Sequence, residues 1–245
     1  MEFQKFLTID KINLEFIKNN EKYIKWEEII LLQIEQDALY YILKNYQKEL
    51  NLFSYAYYGN SYDKKNIDHI LSLLKDNDMK INLLSGLISK KGFTRDNIID
   101  REFFMKYKDL FFQTKYMNSF FSGSSRIDIQ FIEEIYSYMT EEYWDFLSFN
   151  PNIDREFITY FSKNLNWKFL LKNQIKSLFN EKFIEENCKN FGPKEWKYIS
   201  RHFKLTKRFV VKHIKDLSMS DLKDNGLIKF DWTKEMRAKY KLEVL

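Results

Sequence analysis

The stretch that decides the fold is residues 153–158, which read Ile-Asp-Arg-Glu-Phe-Ile. The order is an apolar residue, a short polar residue, two variable residues, Phe and a second apolar residue. Copies of this order begin at Ile12, Ile99, Ile127, Ile153, Phe179 and Leu205. In the C-terminal half, the successive phenylalanines Phe131, Phe157, Phe183 and Phe209 are 26 residues apart. A fixed period of about 20 to 50 residues is typical of solenoids and other repeat architectures.

Each copy has the pattern of a helix start. Asp, Asn and Thr are favoured N-caps, because their side-chain oxygen accepts a hydrogen bond from a backbone N–H of the first turn. The predicted caps are Asn13, Asp100, Asp128, Asp154, Asn180 and Thr206. The apolar residues on either side of the cap and Phe then stand at N′ and N4, where they form a hydrophobic staple. We call the helix predicted after each cap helix A, and each cap contributes about 1 kcal/mol.

A second helix is predicted in each repeat, and we call it helix B. Its mark is a Trp with an aliphatic residue three positions later, a spacing that places both side chains on one helix face. The pairs are Trp26 and Ile29, Trp144 and Leu147, Trp167 and Leu170, and Trp196 and Ile199, with Leu222 in the Trp position of the last copy. Gly and Pro separate the helices, at Gly123, Pro151, Gly192, Pro193 and Gly226.

Two further copies are degenerate. Asp68 and Asp37 keep the predicted cap, while Leu71 and Tyr40 replace Phe. With these copies the sequence predicts an all-α fold, an α-solenoid of about eight short helix-pair repeats, forming one elongated domain over residues 1–245. We interpret residues 231–245 as a charged C-terminal helix that caps the stack. An irregular all-α globule is the alternative.

Composition gives few indications of function. Aromatic residues make up 18% of the chain, which suits short helices that must bury much area per residue. The single cysteine, Cys188, allows no disulfide within the chain and favours a reducing compartment. The N-terminal residues lack a signal-peptide pattern, and no apolar run approaches the ~18 residues of a membrane span. We therefore expect a cytoplasmic protein, in the expressing or host cell, that has no membrane association.

Residue patterns for catalysis are weak, and we expect no catalytic residues, metal or cofactor. The three histidines, His69, His202 and His213, have no metal-ligand spacing with Cys188. No glycine-rich phosphate-binding loop is present. One enzyme class stays open as an alternative, the DNA glycosylases built from HEAT-like helix pairs, because Trp144 and Asp145 match the residue types that such enzymes use in a basic groove.

Charge is distributed unevenly along the repeats. Residues 127–154 contain seven acids and no Lys or Arg, whereas residues 189–215 contain nine Lys or Arg and one acid, Glu195. The candidate acidic face consists of Glu133, Glu134, Glu141, Glu142 and Asp145. The candidate basic face consists of Lys194, Lys197, Arg201, Lys204, Arg208, Lys212 and Lys215.

On a helical wheel the first four basic residues fall within roughly 80° of one another, and the last three form a second stripe on the next helix A. Basic outer faces are common on helices of Lys-rich proteins, so a solvated surface is one interpretation. A phosphate-binding or acidic-protein-binding patch is another. The acidic repeats would repel a long phosphate backbone, which favours a protein partner over a nucleic acid.

Residues 143–158 resemble a degenerate tandem repeat that is common in predicted proteins of large DNA viruses. That family has a Trp-x-x-Leu-Ser-x-Asn-Pro-Asn-Ile core, and this chain has Trp144, Leu147, Ser148, Asn150 and Pro151 in register. The similarity is best over residues 127–200 and weak over residues 31–95, where Trp is absent. The resemblance implies tandem helical repeats and a viral or phage source, and it carries no catalytic residues.

Together these observations predict a non-enzymatic helical-repeat protein whose task is to bind another macromolecule. We expect a protein partner, such as a host or defence protein, because solenoids present extended surfaces. Binding of nucleic acid by the basic face is the alternative.

Overall fold

The structure is a computed structural model that describes residues 12–29, 34–58, 64–89, 99–123, 127–172, 178–226 and 231–244. Within these ranges every regular element is a helix, apart from an isolated parallel bridge between Ile12 and Ile34. The predicted all-α class is therefore confirmed for the described residues. Contacts divide the chain into two compact units, Met1–Ser125 and Arg126–Leu245.

Most helices of the first unit have seven or more residues, but one has four and another has six. They are α1 (Leu14–Asn20), α2 (Trp26–Ile29), α3 (Gln36–Tyr46), α4 (Leu52–Tyr58), α5 (Lys64–Leu73), α6 (Asn77–Ser89) and α7 (Arg101–Phe111), followed by the six-residue α8 (Met117–Ser122).

The second unit is built mainly from shorter helices. They are α9 (Ile129–Glu134), α10 (Glu141–Leu147), α11 (Arg155–Tyr160), α12 (Trp167–Lys172), α13 (Glu181–Asn187), α14 (Pro193–His202), α15 (Lys207–Lys212), α16 (Met219–Asp224) and α17 (Lys234–Val244).

All six caps predicted from the main repeat are confirmed. In each copy the cap side chain accepts the backbone N–H of the phenylalanine three residues later, at 2.7 to 3.3 Å. The phenylalanines are buried in five copies, at Phe103, Phe131, Phe157, Phe183 and Phe209, and Phe16 is half-buried. The cap thus fixes the start of helix A, and the Phe attaches its first turn to the core.

A feature that the sequence pattern did not predict is the common end of helix A. Seven residues after each cap the backbone leaves helical geometry, with φ between −97° and −123° and ψ near zero. These residues are Asn20, Tyr107, Ile135, Phe161, Asn187 and His213. Helix α7 continues past its kink, but the other copies end there. The capped helix is therefore about two turns long in every repeat but that one.

The two degenerate caps were predicted wrongly. Asp68 lies in the middle of α5, and Asp37 is the second residue of α3, whose N-cap is Glu35. The pattern failed because an apolar-Asp pair occurs equally well inside an amphipathic helix. Asp68 instead binds Lys106 Nζ at 2.6 Å and the Tyr107 hydroxyl at 2.7 Å, which joins α5 to α7.

The helix B predictions are confirmed at each Trp. Trp144, Trp167 and Trp196 are buried in α10, α12 and α14, and Trp26 begins α2. Two of these helices are joined to the next helix B by a buried serine. Ser148 Oγ accepts the N–H of Asn166, which precedes α12, at 2.8 Å, and 52 residues later Ser200 Oγ accepts the N–H of Ser218, which precedes α16, at 2.9 Å.

Helices that lie two apart along the chain are the usual neighbours in both units. The contacting pairs of this kind are α1 with α3, α3 with α5, α4 with α6, α6 with α8, α12 with α14, and α14 with α16. Helices α4 and α6 approach each other closely at Gly86, where an added Cβ would lie 2.4 Å from the carbonyl oxygen of Phe53. A side chain at this position would separate α4 from α6.

The final helix, α17, begins with a seventh copy of the cap that the sequence analysis missed. Thr233 Oγ1 accepts the N–H of Met236 at 3.3 Å, and Met236 is fully buried in the place of Phe. Lys239 Nζ donates to the carbonyl oxygens of Lys215 and Leu217, at 3.0 and 2.6 Å, in the turn after α15. Among the described residues no helix has the length and apolar character needed to cross a membrane.

Candidate basic binding site

Among the described residues, five exposed Lys and Arg side chains line an open cavity of about 250 Å³ in the second unit. The cationic residues are Lys168, Lys172, Lys194, Lys197 and Arg201, and the remaining lining residues are Glu195, Tyr198 and His202. All eight belong to α12 and α14, which contact each other. We call this feature the α12–α14 cavity.

The side of α14 that faces the cavity follows from its amphipathic sequence. Trp196, Ile199 and Ser200 are buried, so the residues between them are directed outward. Pro193 occupies the first helical position, and Glu195 accepts the N–H of Gly192 at 2.9 Å. Glu195, the carboxylate among the described lining residues, is thus engaged in starting the helix.

Helix α12 contributes Lys168 and Lys172, which the sequence analysis did not include in the basic face. A signal for them exists, because residues 157–180 contain four lysines and no acid. This stretch precedes residues 189–215, from which the basic face was predicted. The repeat brings the two regions together, since α12 and α14 occupy equivalent positions in successive copies.

The guanidinium of Arg201 binds a buried carboxylate, that of Asp221. Its Nε donates to Asp221 Oδ1 at 2.9 Å, and one Nη donates to the same oxygen. Asp221 is 4% exposed, and its other oxygen, Oδ2, has no hydrogen-bond partner among the described residues. Lys197 Nζ lies 4.0 Å from that oxygen. Because the Arg201 side chain is 55% exposed, the pair is half-buried, and it holds the guanidinium in place more than it adds stability.

The cavity also has an aromatic wall. The rings of Tyr198 and His202 lie 4.2 Å apart, centroid to centroid. Burial raises the pKa of Tyr198 above its ordinary value, so its hydroxyl stays protonated and can donate a hydrogen bond.

The remaining residues of the predicted basic face do not line the cavity. Lys204 lies beyond the end of α14 at His202, and Lys215 lies beyond the end of α15 at Lys212, so the helical-wheel alignment is wrong for both. Their helices end earlier than the wheel assumed, α15 at the common break seven residues after its cap. Arg208 is exposed on α15.

The second predicted stripe is partly neutralised. Lys212 Nζ binds Glu185 Oε2 at 2.8 Å, and this contact holds the pKa of the Glu185 carboxyl below its usual value. Glu133 and Tyr160 occupy the same two positions in the repeat pair 52 residues earlier, and the Tyr160 hydroxyl donates to Glu133. This pair of positions thus joins consecutive helices A.

The predicted acidic face is spread over two helices. Glu133 and Glu134 end α9, whereas Glu141 and Glu142 are exposed in the first turn of α10, where negative charge is favoured by the helix dipole. Asp145 accepts a hydrogen bond from Asn166 Nδ2 at 2.7 Å. Two of the five carboxylates, Glu133 and Asp145, are therefore engaged in contacts between repeats.

The residues considered for catalysis lie in structural surroundings. Trp144 is buried against Phe161, and His213 is buried against Trp196 with ring centroids 5.1 Å apart. Cys188 is half-buried in a 3₁₀ turn after α13. In the segments that the structure describes, no three His, Cys, Asp or Glu side chains come together as a set of metal ligands.

Comparison of the chain with protein-family models, with curated proteins and with solved structures gives no match.

Proposed function

We propose that this chain is a non-enzymatic helical-repeat protein, an α-solenoid of about eight helix pairs, that binds a short acidic segment of a protein partner. The α12–α14 cavity is the binding site. The protein acts in the cytoplasm, and with the viral or phage source implied by the resemblance its partner is a host or defence protein.

The helix contacts support the solenoid part of the proposal. In a two-layer stack, each helix packs on the equivalent helix of the next repeat, two places along the chain. Most contacting pairs in both units have this relation. The Ser148 contact recurs at Ser200, and the Glu133 contact recurs at Glu185. Such recurrence is also expected of stacked equivalent repeats.

The observation that carries the binding proposal is the convergence of five cations on one small cavity. Water screens the repulsion between these exposed side chains, but their grouping raises the local positive potential, which attracts anions. The cavity therefore favours a ligand that brings concentrated negative charge, such as neighbouring Asp and Glu side chains.

The local extent of this charge supports a protein partner over a nucleic acid. A duplex spreads one charge along every ~1.7 Å and needs a basic surface that follows it. Here Lys212 is neutralised by Glu185, and Lys204 and Lys215 fall outside their helices. The cations that line the cavity form a compact site, suited to a short acidic segment, while Lys204, Arg208 and Lys215 are exposed outside it.

Fluorescence anisotropy of labelled ligands tests the proposal. We expect a Glu- and Asp-rich peptide to bind the full-length chain, and the Lys172→Glu/Lys194→Glu variant to weaken binding at least about tenfold. The matched control is Lys204→Glu/Arg208→Glu, which reverses the same number of charges on exposed residues outside the cavity. Tighter binding of duplex DNA or single-stranded RNA, with a logarithmic salt slope of about −5 or steeper, would instead establish the nucleic-acid alternative.

A further inference from the structure

We propose that the α12–α14 cavity is a phosphate site, and that its ligand is a phosphorylated serine or threonine side chain within the acidic segment of the partner. This inference rests on the proposed function and names the group that the cavity selects. A phosphomonoester carries about −1.5 to −2 charges near neutral pH and three acceptor oxygens.

Charge and size together favour such a group. Among the described residues the lining has five cations and one carboxylate, and Asp221 pairs with Arg201 and Lys197, which leaves an excess of three positive charges. A single acidic side chain would leave part of this charge unpaired. The volume of about 250 Å³ is below the ~300 to 1,000 Å³ of sites for drug-sized ligands. A phosphorylated side chain meets both conditions, because it concentrates charge in a small volume.

The arrangement of Arg201 supplies the directional part of the site. Asp221 takes the Nε–H and one Nη–H of the guanidinium, so three of its five N–H groups are left for a ligand. An Arg fork matches phosphate oxygens with two parallel hydrogen bonds. Because Asp221 is buried and already holds the guanidinium, less side-chain entropy is lost when the ligand binds.

Tyr198 and the lysines complete the set of donors. The protonated Tyr198 hydroxyl can donate one hydrogen bond at the aromatic wall. Lys168 and Lys172 line the cavity from α12. The Lys168 ammonium lies over the Phe169 ring, 5.8 Å from its centroid, so its flexible stem must turn for it to reach a phosphate oxygen. A carboxylate, with two oxygens, uses fewer of these donors.

Isothermal titration calorimetry of the full-length chain with four probes tests the inference. The probes are the peptide Glu-Glu-phosphoserine-Glu-Glu, the same peptide with Ser or with Glu at the centre, and inorganic phosphate. We expect the phosphoserine peptide to bind at least about tenfold more tightly than the Glu peptide, which is ~1.4 kcal/mol. Inorganic phosphate alone should bind more weakly than the phosphoserine peptide, because it makes none of the flanking contacts.

Variants locate the preference in the cavity. Arg201→Lys keeps the charge but removes the fork, and Tyr198→Phe removes one hydroxyl, so each should reduce the ratio of phosphoserine to Glu binding. Lys204→Gln removes a positive charge outside the cavity and should leave the ratio unchanged. Thermal unfolding followed by circular dichroism checks that the Arg201→Lys variant is folded. If it is not folded, the ratio of phosphoserine to Glu binding in the Tyr198→Phe variant tests the inference.

Each other outcome contradicts a stated part of the inference. Equal binding of the phosphoserine and Glu peptides overturns the phosphate site and leaves the acidic-segment function standing. Binding of neither peptide overturns both. Binding of inorganic phosphate as tight as that of the phosphoserine peptide identifies a small-molecule phosphate site and overturns the assignment to a partner side chain.

Discussion

At the residue scale, one hydrogen bond is repeated from the N-terminal part of the chain to its end. Asp154 accepts the N–H of Phe157 at 2.9 Å, and the equivalent residue does the same in five other copies and at Thr233. The interaction spans three residues, so a sequence pattern can predict it. The repeat pattern does not identify Thr233 as a cap, because Met236 replaces Phe and lies 27 residues, not 26, after Phe209.

We expect Asp154→Ala to lower the free energy of unfolding of the unit 126–245 by about 1 kcal/mol, because the first turn of α11 loses the acceptor of its Phe157 N–H. Urea denaturation followed by circular dichroism measures the loss. Asp154→Asn retains a side-chain acceptor and should cost only a few tenths of a kcal/mol. Equal losses for the two substitutions would mean that the charge of Asp154, and not its capping bond, is what stabilises the helix.

Asp68 shows the limit of residue-level patterns. Its sequence neighbours resemble a cap, but its carboxylate binds Lys106 and Tyr107, 38 and 39 residues away. No local spacing contains that information. The same holds for Lys168 and Lys172, which join the α14 cations only because α12 and α14 stack.

At the element scale, the Asp68 contacts connect α5 to α7 and make this connection sensitive to acid. The hydrogen bonds from Lys106 and then Tyr107 hold the pKa of the Asp68 carboxyl below its ordinary value. A carboxyl with a lowered folded-state pKa contributes stability that is fully present above its unfolded pKa of about 3.9. That contribution is lost as the pH falls through the folded pKa.

We therefore expect the stability difference between wild type and Asp68→Asn to be constant near neutral pH and to shrink as the pH falls below about 4. Urea denaturation at a series of pH values measures this difference. In a Lys106→Gln/Tyr107→Phe background, Asp68→Asn should show little of this pH dependence, because the two hydrogen-bond donors that lower the pKa of Asp68 most are absent. An unchanged pH dependence in that background would assign the effect to other charges.

The ends of the elements were predicted less well than their starts. Each helix A stops being regular seven residues after its cap, whatever residue stands there. Asn, Tyr, Ile, Phe and His all occupy this position, so side-chain identity does not set it. In two copies the residue at this position, Phe161 or His213, packs on the Trp of the preceding helix B. In two others it is an Asn whose side chain donates to the carbonyl oxygen of the Phe four residues before it.

At the scale of the whole molecule, the question is whether the repeats behave as a linear stack. In a solenoid each repeat contacts only its neighbours, so local destabilisation fades with distance along the stack. In a globule with one shared core, local destabilisation affects all the helices that form the core. The described part of the second unit, from α9 to α17, is long enough to separate these two behaviours.

We expect Met236→Ala in α17 to cost about 2 to 5 kcal/mol locally, since Met236 is fully buried. Amide hydrogen exchange should show the largest loss of protection in α17, a smaller loss in α16 and α15, and little change in α9 and α10. Leu242→Ala on the same helix removes a side chain that is 78% exposed and should change nothing. A uniform loss of protection over residues 126–245 would favour the irregular globule.

The sequence by itself determined what depends on short range: the helical class, the capped starts, the buried phenylalanines and the Trp-bearing helices B. Caps, staples and helix faces involve residues within about four positions of one another, so their spacing is visible in the chain. Only the tertiary structure decided where the helices end, that Asp68 joins two helices, and that lysines of α12 and α14 line one cavity. These features depend on contacts between residues about 20 to 50 positions apart, which the stacking of repeats creates.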